Sequence, residues 1–99
     1  MVDLSKVIGF EWDGGNARKN ERHEVSMAEA EQVFFNSPLL VLPDPKHSAA
    51  EPRFHALGRS NEGRRLHLSF TLRDSEQLIR VISARDMHRK ERVIYEEAT

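Results

Sequence analysis

Apolar and polar positions alternate most regularly near residue 70, where Leu66, Leu68, Phe70 and Leu72 fall between Arg65, His67, Ser69, Thr71 and Arg73. A period of two with one apolar side predicts a strand over residues 64–73, in a sheet with one wet face. Residues 53–59 precede it as a strand, separated by the turn Ser60-Asn61-Glu62-Gly63. Residues 77–84 follow it as the last strand, after Asp74-Ser75-Glu76. Further upstream, residues 39–42 read as a strand closed by Pro43-Asp44-Pro45, with a loop over residues 46–52. Residues 7–12 (Val-Ile-Gly-Phe-Glu-Trp) have the β-branched and aromatic content of a short opening strand.

Helical spacing begins after Ser26. Ser26 and Glu29 stand three apart, the spacing of a capping box. Met27, Ala30, Val33 and Phe34 then recur on one side, and Asn36-Ser37-Pro38 ends the helix. Asp13 is placed to cap an earlier helix over residues 13–24, although only Ala17 is apolar there and Gly14-Gly15 oppose it. Arg85 or Asp86 opens a terminal helix to about residue 97, anchored by Met87, Ile94 and Tyr95. The order β-α-α-β-β-β-β-α predicts one α+β domain over residues 1–99. In it, an antiparallel β-sheet packs against two N-terminal helices, and a C-terminal helix flanks the more polar sheet face.

Size and composition narrow the possibilities. A chain of 99 residues allows one domain. It has no cysteine, so it forms no disulfide, no zinc finger and no thiol nucleophile. No apolar run is long enough to span a bilayer, and residues 1–9 do not form a basic-then-apolar leader. A reducing compartment, most simply the bacterial cytoplasm, fits this usage. Charge is segregated along the chain. Residues 1–52 carry five basic and nine acidic side chains, whereas residues 53–92 carry ten basic, nine of them arginine, and five acidic. Arginine pairs bidentately with phosphate, so the second half is either a solvated charged surface or a polyanion-binding face.

A series of short motifs carries a resemblance. Phe10-Glu11-Trp12-Asp13 opens it, and Asn20-Glu21-Arg22-His23-Glu24-Val25-Ser26 follows, with Ala28 to Ala30 behind. His47-Ser48, Arg53-Phe54, Gly58-x-Ser60, and Gly63-Arg64 with Thr71 come next. Ile79-Arg80-Val81-Ile82-Ser83-Ala84-Arg85 and Glu91-Arg92-x-x-Tyr95-Glu96 complete it. In this order, from about residue 8 to residue 97, the set resembles the BrnT family, the toxin half of a bacterial type II toxin–antitoxin pair. The resemblance implies a RelE-like fold and a ribonuclease toxin that cleaves RNA with no metal or other cofactor. It also implies a BrnA-like ribbon-helix-helix antitoxin, with DNA reached only through the antitoxin complex. Three positions depart from the family pattern. Its lysine after Ser-Ala-Arg is Asp86 here, its lysine before the histidine is Arg22, and its glycine after that histidine is Glu24. Asp86 sets a negative charge beside the expected RNA face and keeps open a second reading, a non-catalytic nucleic-acid- or protein-binding module of the same fold. A third is an adaptor whose sheet edge binds a peptide.

Metal-free RNA cleavage by the 2′-OH needs a base, cations for the phosphate oxygens and an acid for the 5′-oxygen. His47 and Lys46 lie on a loop just before the strands, and histidine titrates near neutrality. His47 is either the proton-transfer group or an ordinary turn residue. Arg80 interrupts an apolar strand, so it either balances a carboxylate or faces phosphate. Arg85, Arg89 and Arg92 fall at helical spacing, either as one cationic face or as a solvated one with Arg92 paired to a glutamate. His47, Arg80, Lys46 and Arg85 are the catalytic candidates, and Arg53, Arg64, Arg89 and Arg92 the RNA-binding ones. His67, with Arg65 and Thr71 on the wet face, matches no family motif and ranks behind His47. Trp12 either stacks a base or joins the core. The five histidines show no metal-ligand spacing, and the chain has no glycine-rich phosphate loop.

Overall fold

The computed structural model describes residues 3–21 and 23–99. Residues 1–2 of the opening segment and Arg22 of the His23 motif lie outside the described residues. The elements are β1 (Gly9–Phe10), α1 (Gly14–Glu21), α2 (Met27–Phe35), β2 (Leu40–Pro43), β3 (Phe54–Arg59), β4 (Arg65–Arg73), β5 (Leu78–Asp86) and α3 (Arg89–Ala98). A single 3-10 turn, Pro45–His47, lies between β2 and β3. The architecture is α+β, one five-stranded sheet in the order β1-β5-β4-β3-β2 with three helices.

The sheet is mixed, not antiparallel throughout as the sequence suggests. β2 to β5 form an antiparallel meander, but β1 lies parallel to β5. Ile8 N–H donates to the Gln77 carbonyl at 2.8 Å and Glu11 N–H to the Ile79 carbonyl at 2.9 Å. Only two residues enter this ladder, so the opening strand is shorter than the residue 7–12 pattern implies, and Ile8 stays exposed.

α2 covers one sheet face. Its cap forms as its spacing dictates: Ser26 Oγ accepts the Glu29 N–H at 3.0 Å, and Glu29 Oε1 accepts the Ser26 N–H at 3.4 Å. Ala30 and Val33 are fully buried against Ala56, Leu66, Leu68, Phe70, Val81 and Ala84. Phe34 meets Phe70 edge-on at 5.1 Å, and Phe54 lies 5.5 Å from it. Gly58 permits the close approach, since a Cβ there would sit 2.8 Å from Val33 Cγ1. α1 has almost no apolar face and docks by hydrogen bonds instead. Asn16, 3% exposed, donates from Nδ2 to the Val81 carbonyl at 2.8 Å and the Glu11 carbonyl at 2.9 Å, and its Oδ1 accepts the Asp13 N–H.

α3 covers part of the other face, where Leu57, Met87 and Tyr95 form a small second core with Leu40. The Tyr95 hydroxyl donates to the Pro38 carbonyl at 2.6 Å and accepts from Arg59 Nε at 3.3 Å. Two expectations fail here. β5 runs on to Asp86, because it keeps pairing with β4 through His67↔Arg85 and Leu66↔Asp86, so α3 begins only at Arg89. The face expected to be wet is also not wet at His67 or Thr71, both buried. Thr71 Oγ1 donates to the Pro52 carbonyl at 2.7 Å, and Arg65 pairs with Glu96, so the His67, Arg65 and Thr71 side chains do not form one exposed group. No helix among the described residues is long and apolar enough to cross a membrane.

Candidate functional site

The partly covered face holds a groove of about 570 Å³. Its floor is the middle of β3, β4 and β5. The β2–β3 connection forms one wall and α3 the other. Local chemistry fixes the first wall. Pro45 starts the 3-10 turn, where its preset φ suits the first helical position. Asp44 N–H donates to the Arg53 carbonyl at 2.9 Å, Ser48 Oγ donates to the Asp44 carbonyl at 2.6 Å, and Ser48 Oγ accepts the Arg53 N–H at 3.0 Å. These bonds close the loop and hold Asp44, His47 and Arg53 against the groove.

One carboxylate oxygen organises two imidazoles. Asp44 Oδ2 lies 2.8 Å from His47 Nδ1 and 3.1 Å from His55 Nε2. Asp44 is 8% exposed. Burial works to raise its carboxyl, but the His47 hydrogen bond and the charges of His55 and His47 outweigh it and hold the group below the ordinary carboxylate value. An ionised carboxylate only accepts, so both facing nitrogens carry protons. In a neutral His47 ring, Nε2 then bears the free lone pair. In His55 the second nitrogen, Nδ1, faces Ser69 Oγ at 3.4 Å. His47 is the more exposed of the two and can reach a ligand in the groove.

The opposite wall is an ion pair rooted in α3. Glu91 takes a fork from Arg85 at 2.7 and 2.9 Å, accepts the His88 N–H at 2.8 Å, and lies 3.6 Å from His67 Nε2. Burial works to raise Glu91, but the Arg85 hydrogen bonds and the His88 N–H bring it down to about 2. His67 goes down to about 4, first through burial and then through the charge of Arg85, against the pull of Glu91. His67 stacks on His55 with ring centroids 4.8 Å apart.

Both shifts set an acid limit on stability. Between about pH 6.5 and 4 an unfolded chain takes up the His67 proton while the folded one does not. Between about pH 4.5 and 2 the same holds for Glu91. The stability linked to these two groups is therefore fully present above about pH 6.5 and falls through both windows as pH drops. The upper window contributes at most about 3 kcal/mol. Melting temperatures recorded from neutral pH down to pH 4 decline, and His67→Gln flattens that part of the curve.

The structure brings His47, Arg53 and Arg85 into one groove, with Lys46 exposed on the same turn as His47. It sets the other candidates apart. Arg80 Nη1 holds Glu11 and Asp13, each at 2.9 Å, outside the groove lining, which is the carboxylate-balancing arrangement of the two its sequence context allowed. Arg64 forks onto Asp86 at 2.7 and 3.1 Å, reaches Glu29, and donates to the His23 and Glu24 carbonyls. The Asp86 charge is thus taken up by Arg64. Arg85 stands on β5 and so cannot share a helix face with Arg89 and Arg92, which are exposed on α3 and do not line the groove. Trp12 packs against the core and donates Nε1–H to Glu31 at 2.7 Å. Sequence reasoning missed Asp44, His55, Ser69 and Glu91. The Asp-x-x-His spacing of Asp44 and His47, and the place of His55 on the same strand face as Leu57, are signals by which two of them could be found.

Fold and groove together define a small α+β protein with imidazoles, a buried carboxylate and arginines on one half-open sheet face. The chain belongs to the BrnT family: the family model for the ribonuclease toxin BrnT of type II toxin–antitoxin systems matches residues 12–91. A comparison with curated proteins found no match. Membership implies an antitoxin partner and RNA as substrate at the level of the family.

Proposed function

We propose that this protein is a RelE-like, metal-independent endoribonuclease toxin that cleaves RNA in the groove and is neutralised by a ribbon-helix-helix antitoxin. The observation that carries the reading is the Asp44–His47 pair, a carboxylate-oriented imidazole with a free nitrogen, in the same groove as an arginine that makes no ion pair among the described residues, Arg53. His47 Nε2 takes the proton of the 2′-OH. The 2′-oxygen bonds to phosphorus, and the bond from phosphorus to the 5′-oxygen breaks. Arg53 and the remaining N–H groups of Arg85 hold the equatorial oxygens. The Lys46 ammonium protonates the leaving 5′-oxygen, and the products are a 2′,3′-cyclic phosphate and a 5′-hydroxyl. Arg80 and Arg64 have no step in this scheme, since neither lines the groove. Arg89 and Arg92 supply exposed charge for the RNA backbone or for an acidic antitoxin segment.

The Glu91 fork on Arg85 favours the alternative of a binding module, because it offsets one groove cation. Induction in a bacterium separates the two. A toxin arrests growth with loss of intact RNA, and co-expressed antitoxin restores both. A binding module leaves RNA intact.

A further inference from the structure

A second depression, of about 280 Å³, opens beside the groove and shares Arg53 and Ile82 with it. Arg53, Arg73 and Arg80 line it, against one carboxylate, Glu51. Glu11 lies 3.6 Å from Arg73 and 2.9 Å from Arg80, and Asp13 2.9 Å from Arg80, but neither carboxylate is part of the lining. These acids therefore brace two guanidiniums without filling the hollow. One further contact bears on Arg73. Glu51, from the β2–β3 connection, already sets a carboxylate oxygen 2.9 Å from Arg73 Nη2, which is where an external anionic oxygen would compete.

We infer that this depression is a subsite for a second phosphate of the RNA strand, consecutive to the one in the groove. Arg53 stands between the two phosphates, and Arg73 is the residue that grips the outer one. Two hollows that share a guanidinium suit neighbouring phosphates of one chain, whose charges arginine pairs without losing its own. Glu51 holds Arg73 when no RNA is bound and yields to the phosphate. The inference rests on the proposed RNA-cleaving reading, and it assigns strand length, rather than base identity, as what this corner of the protein measures.

The test uses 2′-O-methyl oligonucleotides, which bind without being cleaved, built around a cleavage site mapped on a long RNA. The shortest one is compared with versions carrying one more phosphodiester on the 5′ or the 3′ side. With the full chain, one of the two extensions tightens binding about tenfold. In Arg73→Gln, its fold confirmed by circular dichroism, that gain shrinks to less than about twofold. Glu51→Gln, which removes the competing carboxylate, enlarges the gain and serves where Arg73→Gln does not fold. No gain from either extension in the unmodified protein, or an equal gain in Arg73→Gln, overturns the subsite. Cleavage of the 2′-hydroxyl RNA is scored separately, so a protein that cuts RNA with no length effect defeats the subsite and leaves the proposed function standing.

Discussion

His47→Gln slows RNA cleavage by about 10²–10⁴-fold while the protein keeps its fold. The ring sits on an exposed turn, so its loss leaves no cavity, and the Asp44 carboxylate keeps the His55 contact. Single-turnover rates on one defined RNA measure the effect, with circular dichroism as the check on folding. A folded His47→Gln protein that cuts at the original rate removes His47 from the chemistry and passes the role to the other imidazole on Asp44, His55.

The largest structural effect falls on the opposite sheet face. Phe70 has no exposed surface and joins Phe34 of α2 to Phe54 of β3. Phe70→Ala costs about 3–5 kcal/mol, from lost burial and the cavity left behind. A domain of this size has about 5–15 kcal/mol in total, so a large part of its margin goes. Urea unfolding gives a lower midpoint with an unchanged slope if the change lies in the native packing. A loss under about 1 kcal/mol means that α2 does not rest on the sheet through these rings.

The same two faces explain what could be read in the chain. β4 was legible because its alternation records a buried side directly, and α2 because both its cap and its apolar stripe are local. The parallel pairing of β1 was not legible, since it joins Gly9 to Leu78 across most of the chain. α1 gave a weak signal because its docking rests on one amide, Asn16, aimed at a carbonyl 65 residues away. Arg85 looked like a helix start because its neighbours have helical spacing, and only pairing with His67 keeps it in β5.

The site divides along the same line. His47 was found from its place on a turn after Pro-Asp-Pro, a local feature. Its partner Asp44 was read only as a turn residue, although the hydrogen bond spans just three positions. His55 and His67 come together through the register of β3 with β4, which pairs His55 with Ser69 and Leu57 with His67. Arg64 and Arg80 looked like phosphate contacts because the carboxylates that occupy them lie 22 to 69 positions away.

In the proposed reaction the protein's own side chains, His47 and Lys46, move the protons of RNA cleavage. The most direct measurement is the chemistry of the cut ends, from a purified protein incubated with RNA in excess EDTA. Cleavage is expected to continue undiminished and to leave a 2′,3′-cyclic phosphate on one fragment and a 5′-hydroxyl on the other. Loss of cutting in EDTA, or fragments bearing a 5′-phosphate and a 3′-hydroxyl, contradicts it.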